Sequence, residues 1–121
     1  MSKQVILIDS LEPVYRVAQM MSKFNAELVV VMTDLEPVGI LQTKDIISQV
    51  VAMEKSLQTL TKDLELESLL EINSDCSIWD AADLMTARNV RNLVVVDYNK
   101  KVIGIINILN LLKQVSKTTL D

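Results

Sequence analysis

The sequence predicts an α+β protein built from two copies of one β-α-β-β-α unit, packed through their sheets with pseudo-two-fold symmetry. Three observations carry this. Gly39 and Gly104, the two glycines of the chain, lie in matching surroundings: Leu28-Val29-Val30-Val31 answers to Leu93-Val94-Val95-Val96, and Val38-Gly39-Ile40-Leu41 to Ile103-Gly104-Ile105-Ile106. Over residues 28–50, an offset of 65 gives eight identities in 23 positions. Upstream the offset becomes 64, pairing Ser10 with Ser74, and Ala18, Met21 and Asn25 with Ala82, Met85 and Asn89. The one-residue change is expected between the first helix and the next strand, because loops absorb insertions cheaply. One copy alone would leave a sheet face and helix stripes in water, so the copies are expected to cover one another.

The elements follow from local patterns. Val5-Ile6-Leu7-Ile8 is a short apolar strand ended by Asp9-Ser10. Val14, Val17, Ala18 and Met21 recur at helical spacing, as do Ile78, Ala81, Ala82 and Met85. Pro13 fits a first helical turn, where its missing N–H would have no partner anyway. Ser77 takes that place in the second copy as an N-cap, with Asp80 as the capping acid. Leu28–Met32 and Val38–Leu41 read as a hairpin across Thr33–Pro37, matched by Asp97–Lys101 in the second copy. Unbroken apolar character at Val29–Val31 predicts a strand covered on both faces.

A second helix is expected from Thr43, with Ile46, Ile47, Val50 and Val51 on one side, and Leu111, Leu112 and Val115 doing the same near the C-terminus. These patterns divide the chain into a first repeat over residues 1–52, a connector over 53–68 and a second repeat over 69–121. In the connector, Met53, Leu57 and Leu60 continue a helical period, Thr61-Lys62-Asp63 marks a stop, and Glu65 and Glu67 are expected to face water. Leu69 to Ile72 begins the second copy as a strand.

Composition narrows the function. Twelve Lys plus Arg face sixteen Asp plus Glu, for a net charge of −4. An acidic chain without a basic stripe does not suit nucleic acid. Mean hydropathy is high at +0.29, yet no apolar run approaches the roughly twenty residues that span a bilayer, so no membrane partner is expected. The absence of histidine removes histidine triads and histidine metal sites. Cys76 stands alone and forms no internal disulfide, which suits the cytoplasm, and its expected role is a small packed side chain. No spacing assembles a nucleophile with a base and an anion stabiliser, so no enzyme and no metal site is expected. Met20, Met21, Met32 and Met85 read as core or dimer packing. Tyr15 and Trp79, equivalent by the offset, are expected at the rim of their helices.

The ordered duplicate, strongest at Asp80-Ala-Ala-Asp-Leu-Met85, Asn92-Leu-Val-Val-Val-Asp97 and Lys101-Val-Ile-Gly-Ile-Ile106, resembles the CBS domain pair, or Bateman module. The resemblance covers nearly the whole chain. It implies a non-catalytic regulatory module whose inter-repeat clefts bind adenine nucleotides such as AMP, ADP or ATP. It also implies a flat homodimer that serves an enzyme, transporter or signalling partner.

The family's nucleotide motif is Gly, two aliphatics, Ser or Thr, two variable residues and Asp. The first copy reads Gly39-Ile-Leu-Gln-Thr-Lys-Asp45, which places Asp45 at the ribose carboxylate and Gln42 where the hydroxyl belongs. Thr43 is one step late and Lys44 adds a charge for phosphate. The open end of the helix beginning there would also present N–H groups to an anion. The first expected site is therefore Ser10, Gln42, Thr43, Lys44 and Asp45. A second, weaker site comprises Ser74, Asn107 and Asn110, where Asn replaces both motif residues and lacks a carboxylate's charge-assisted acceptor strength. An alternative reading follows from the same departures: a structural dimerisation or interaction module whose nucleotide sites have degraded.

Overall fold

A computed structural model describes residues 5–107. Among the described residues, Ile6–Ser68 form one compact unit, and Leu69–Asn107 together with Val5 form the other. The first unit contains β1 (Leu7–Asp9), α1 (Val14–Phe24), β2 (Leu28–Thr33), β3 (Glu36–Gln42) and α2 (Thr43–Ile46). The second contains β4 (Leu70–Asn73), α3 (Ile78–Arg88), β5 (Asn92–Val96) and β6 (Val102–Asn107). Each sheet has three strands, with the first two parallel and the last two antiparallel. The fold is thus duplicated α+β. Asn110, Leu111, Leu112 and Val115 lie outside the described residues.

Apolar spacing explains each core. Val14, Val17 and Met21 of α1 pack on Ile6, Ile8, Val29, Val31 and Leu41 of the sheet, together with Val50 and Leu64. In the second unit Ala81 and Met85 of α3 meet Ile72 and Leu93, with Ile78 and Ala82 at the margin. Ala18, expected in the first stripe, is exposed instead. Val29, Val30 and Val31 are all fully buried, as their unbroken apolar run requires.

Both long helices end in the same way. Asn25 and Asn89 adopt left-handed backbone (φ 51° and 54°), and the next N–H groups, of Ala26 and Val90, donate to Met21 O and Met85 O. Asparagine tolerates this conformation better than other residues with a Cβ. Their N-termini differ. Ser77 Oγ accepts from the Asp80 N–H at 3.0 Å, the expected cap. Pro13 is itself the cap residue of α1 and has no side chain to offer. The connector fills the gap, its Thr59 and Leu57 carbonyls accepting from the Val14 and Tyr15 N–H groups at 2.8 and 3.0 Å.

The connector differs from its expected form. α2 widens after Ile46 into a π-helical turn over Ile47–Val51, where Ala52 N–H donates to Ile47 O. Wider winding breaks the 3.6-residue stacking. Val50 is therefore buried and Ile46 half-buried, while Ile47 and Val51 remain exposed. Glu54 then turns left-handed (φ 53°), and no helix continues through Met53 and Leu57, which are exposed. Leu60 instead bridges Pro13, and Thr61–Asp63 form a single 3₁₀ turn. Thr61, fully buried, donates through both its N–H and its hydroxyl to Glu12 O.

Residues 64–68 run along the free edge of β3. Ile40 N–H donates to Glu67 O at 2.9 Å, and Glu67 N–H donates to Ile40 O at 2.8 Å. Gly39 permits this approach, since a Cβ there would lie 2.6 Å from Leu66 Cβ. A Cβ on Gly104 would meet nothing within 4 Å among the described residues.

The offset change also moves. Val29 pairs with Leu41 across the first hairpin and Leu93 with Ile106 across the second, and both sheets bulge, at Val31/Met32 and Val95/Val96. The 64-residue relation therefore persists through β2 and β5, and the extra residue falls in the hairpin. The strand residues equivalent to Leu28 and Val29 are Asn92 and Leu93. The first hairpin closes through Asp34 and Leu35 alone, with Asp34 left-handed (φ 58°). The second spans Asp97–Lys101, with Asp97 Oδ1 accepting from Asn99 and Lys101 N–H.

Gly39→Ala will destabilise the first unit by about 1–3 kcal/mol through overpacking, whereas Gly104→Ala will change stability by less than about 1 kcal/mol in denaturant titration. Asn25→Val and Asn89→Val will each cost about 1–2 kcal/mol, while the corresponding glycine variants will stay near wild type.

Candidate functional site

The strand-to-helix corner after Gly39 carries the expected motif residues. Gln42 ends β3 in extended conformation (φ −111°, ψ 162°), and α2 starts at Thr43. The half-buried Asp45 turns back, its Oδ2 accepting from the Gln42 N–H at 2.8 Å. This is the reach-back half of a capping box, a local reason for an acid at this spacing. Lys44 is exposed.

Thr43 does not take the missing hydroxyl's place. Its Oγ1 lies 3.4 Å from Glu27 O and 3.7 Å from Met21 Sδ. Its N–H also donates to Glu27 O, at 3.0 Å, so one of the helix-end donors expected for an anion is already engaged.

Ser10 lies at the other end of the sheet. Its N–H donates to Met32 O, beside the β2–β3 turn, whereas Gln42 pairs with Leu28 at the start of β2. Ser10 is buried, and its Oγ accepts from Thr33 Oγ1 at 2.9 Å. Within the first repeat it does not join Gln42–Asp45. Ser74 repeats the backbone arrangement, its N–H donating to Val96 O at the end of β5, whereas Asn107 pairs with Asn92 at the start of β5. The two serines thus share a backbone bond to the neighbouring strand, while Ser10 is buried and Ser74 exposed.

Glu67 is a residue of the corner that its sequence position did not reveal. Its carboxylate, expected in water, is half-buried and accepts from Gln42 Nε2 at 2.7 Å. Gln49 secures the same strand, with its Nε2 donating to Glu65 O at 3.0 Å and its Oε1 accepting from Glu65 N–H at 2.7 Å. Glu65 itself is exposed. The one signal in the sequence was the alternation of Leu64, Leu66 and Glu65, Glu67, which is strand-like.

In the second unit Asn107 Nδ2 donates to Asn92 Oδ1 at 3.0 Å across the strand pair, with Asn92 almost fully buried. Asn110, the other motif position, lies outside the described residues. Among the described residues no group of three or more His, Cys, Asp or Glu gathers as a metal site, and no helix is long and apolar enough to cross a membrane. Tyr15 and Trp79 are exposed on their helices, while Met21 and Met85 are buried and Met20 and Met32 half-buried.

Comparison with known proteins matches this architecture. The CBS domain family model matches residues 1–52 and 53–117, and the chain belongs to that family. Membership makes it a non-catalytic regulatory module of the Bateman type. Among curated proteins it is 26% identical over 113 residues to the uncharacterized protein MK0525 of Methanopyrus kandleri, covering 92% of this chain and 58% of that relative's length. Among solved structures, the CBS domain NE2398 is 27% identical with TM-score 0.73, covering 94% of this chain and 89% of that one. The CBS domain protein PAE2072 of Pyrobaculum aerophilum, solved with AMP, shares the fold at 20% identity and TM-score 0.74, covering 97% and 95%.

Cys76 is half-buried at the start of α3, with its Sγ 3.5 Å from Ser77 O. Burial first, then the charges of Asp80 and Asp75, push its thiol above the ordinary value. Because only the thiolate reacts, Cys76 will be alkylated by iodoacetamide more slowly at pH 8 than a free cysteine, and the difference will close as pH rises.

Proposed function

We infer that this chain is a ligand-sensing regulatory module that binds an adenine nucleotide (AMP, ADP or ATP) at the Gln42–Asp45 corner of the first repeat. The observation that carries the reading is Asp45, a half-buried carboxylate at the family's ribose position, oriented by its bond to the Gln42 N–H. One oxygen is engaged there, and a carboxylate can accept at both oxygens, leaving capacity for a sugar hydroxyl. Lys44, exposed beside Asp45 in the same helical turn, supplies positive charge for phosphate. The AMP bound to PAE2072, which shares this fold, supports the ligand class. Occupancy would act by population shift, favouring the arrangement that the ligand completes. Cytoplasmic action fits the lone cysteine.

A second reading, an interaction module with degraded nucleotide sites, has observations of its own. Gln42 is bonded to Glu67 and Asn107 to Asn92, and Ile47, Val51, Met53 and Leu57 leave apolar surface exposed. Homodimerisation belongs to both readings, and so does service to an enzyme, transporter or signalling partner.

Calorimetric titration separates them. AMP, ADP or ATP will release heat on binding and raise the melting temperature of the wild-type chain. Asp45→Ala will weaken binding by roughly ten- to a hundredfold, the value of a charge-assisted hydrogen bond. Asp45→Asn keeps the acceptor toward Gln42 and separates loss of charge from loss of the cap. No heat and no stabilisation at millimolar nucleotide would remove the sensing reading and leave the interaction module. Sedimentation at low micromolar concentration will show a dimer, and a clean monomer would count against it.

A further inference from the structure

We propose that the Gln42–Glu67 hydrogen bond is a latch that couples the corner of the first repeat to the connector strand over residues 64–68, so that a ligand and the docked strand compete for one amide. This rests on the nucleotide reading of that corner.

Gln42 stands between two carboxylates, its N–H donating to Asp45 Oδ2 at 2.8 Å and its Nε2 to Glu67 Oε1 at 2.7 Å. Replacing Gln42 by the short hydroxyl of the family motif would remove the amide that reaches the connector. The departure at residue 42 therefore has a structural counterpart at residue 67.

The segment that Glu67 belongs to is also held by the Ile40–Glu67 backbone pair, by the Gln49 side chain on Glu65, by Leu66 packed over Gly39 and, at its start, by the buried Leu64. Leu70 begins β4 three residues beyond Glu67, so this strand is the covalent lead into the second repeat.

A nucleotide engaging Asp45 through its sugar brings hydroxyls that compete for the neighbouring amide, and its phosphate is repelled by the Glu67 carboxylate. Each effect favours release of Glu67 in the liganded state. Linkage requires the converse: a docked Glu67 weakens the ligand by the same factor that the ligand weakens docking. The latch makes occupancy of the corner legible as loosening of one edge strand, without chemistry and without a second site.

The test uses the full chain, AMP as probe, calorimetry for affinity and hydrogen exchange for the strand. AMP is expected to speed exchange in the peptide covering 64–68. Glu67→Ala is expected to show that faster exchange without ligand and to bind AMP tighter by about fivefold or more, the low end of ordinary coupling. Glu67→Gln, which keeps an acceptor for Gln42 but no charge, is expected to fall between. Gln49→Ala frees Glu65 without touching Gln42, and is expected to tighten AMP in the same direction. Its use also keeps the latch testable should Glu67→Ala fold poorly.

AMP binding with unchanged or slower exchange at 64–68 would overturn the latch while leaving the nucleotide reading intact. The latch falls equally if Glu67→Ala binds no tighter, or if Gln49→Ala speeds exchange without altering affinity. Absence of AMP binding to all four proteins would overturn both, and is recognised by the missing heat.

Discussion

The first unit depends on backbone hydrogen bonds between its core elements and residues 57–67. Pro13 opens α1 without a side-chain cap, so two N–H groups at the helix start would lack partners if the connector moved away. Thr59 and Leu57 carbonyls accept from them, Thr61 and Lys62 N–H groups donate to Glu12 and Ser10 carbonyls, and Glu67 completes a ladder with Ile40. Buried polar backbone needs such partners, and leaving one unsatisfied costs about 1–3 kcal/mol. The connector is therefore part of the first repeat's structure, in keeping with the compact unit Ile6–Ser68.

The two repeats meet the same requirements with different side chains. Where the first caps its helix with distant carbonyls, the second uses Ser77 and the Asp80 N–H. The motif position after each Gly-Ile-aliphatic segment carries an amide, and each amide is bonded inside its own unit: Gln42 to Glu67, Asn107 to Asn92. The glycines have also diverged in purpose. Gly39 makes room for Leu66, while Gly104 has space around it among the described residues. Duplication preserved backbone geometry and left the polar partners free to change.

What the sequence discloses follows from how far each signal reaches. The α1 and α3 stripes, the doubly buried valine run and the Ser77 cap are local, and their positions were legible. Asn25 and Asn89 were legible as equivalents, with left-handed caps as the physical reason. The place of the offset change was misread because the strand runs valine after valine: sliding Leu28–Val31 by one residue still leaves Val30 and Val31 on valines, Val94 and Val95. Only pairing partners reveal the slip, which would otherwise turn each side chain to the opposite face. The connector strand was illegible for a different reason. Its partners are Gly39, Ile40, Gln42 and Gln49, and a four-residue alternation of leucine and glutamate reads equally well as exposed loop. Glu67 entered the candidate corner only with the tertiary fold, whereas Asp45 was visible from its motif spacing alone.

The state of that corner bears on the kind of affinity it can offer. A ligand entering a site of orphaned polar groups gains their whole unmet hydrogen-bonding energy. Here Gln42 donates to two carboxylates and the Thr43 N–H to Glu27 O. At these groups a nucleotide would exchange hydrogen bonds for others of similar strength, so each exchanged bond adds little net free energy. Surface for aromatic stacking is scarce, because the chain has four aromatic side chains. A module with such a corner suits a ligand present at high concentration, whose level varies about a weak dissociation constant. On the proposed latch, release of Glu67 would lower the affinity further, and that same cost would carry the signal. A tighter site with no latch would bind more and report less.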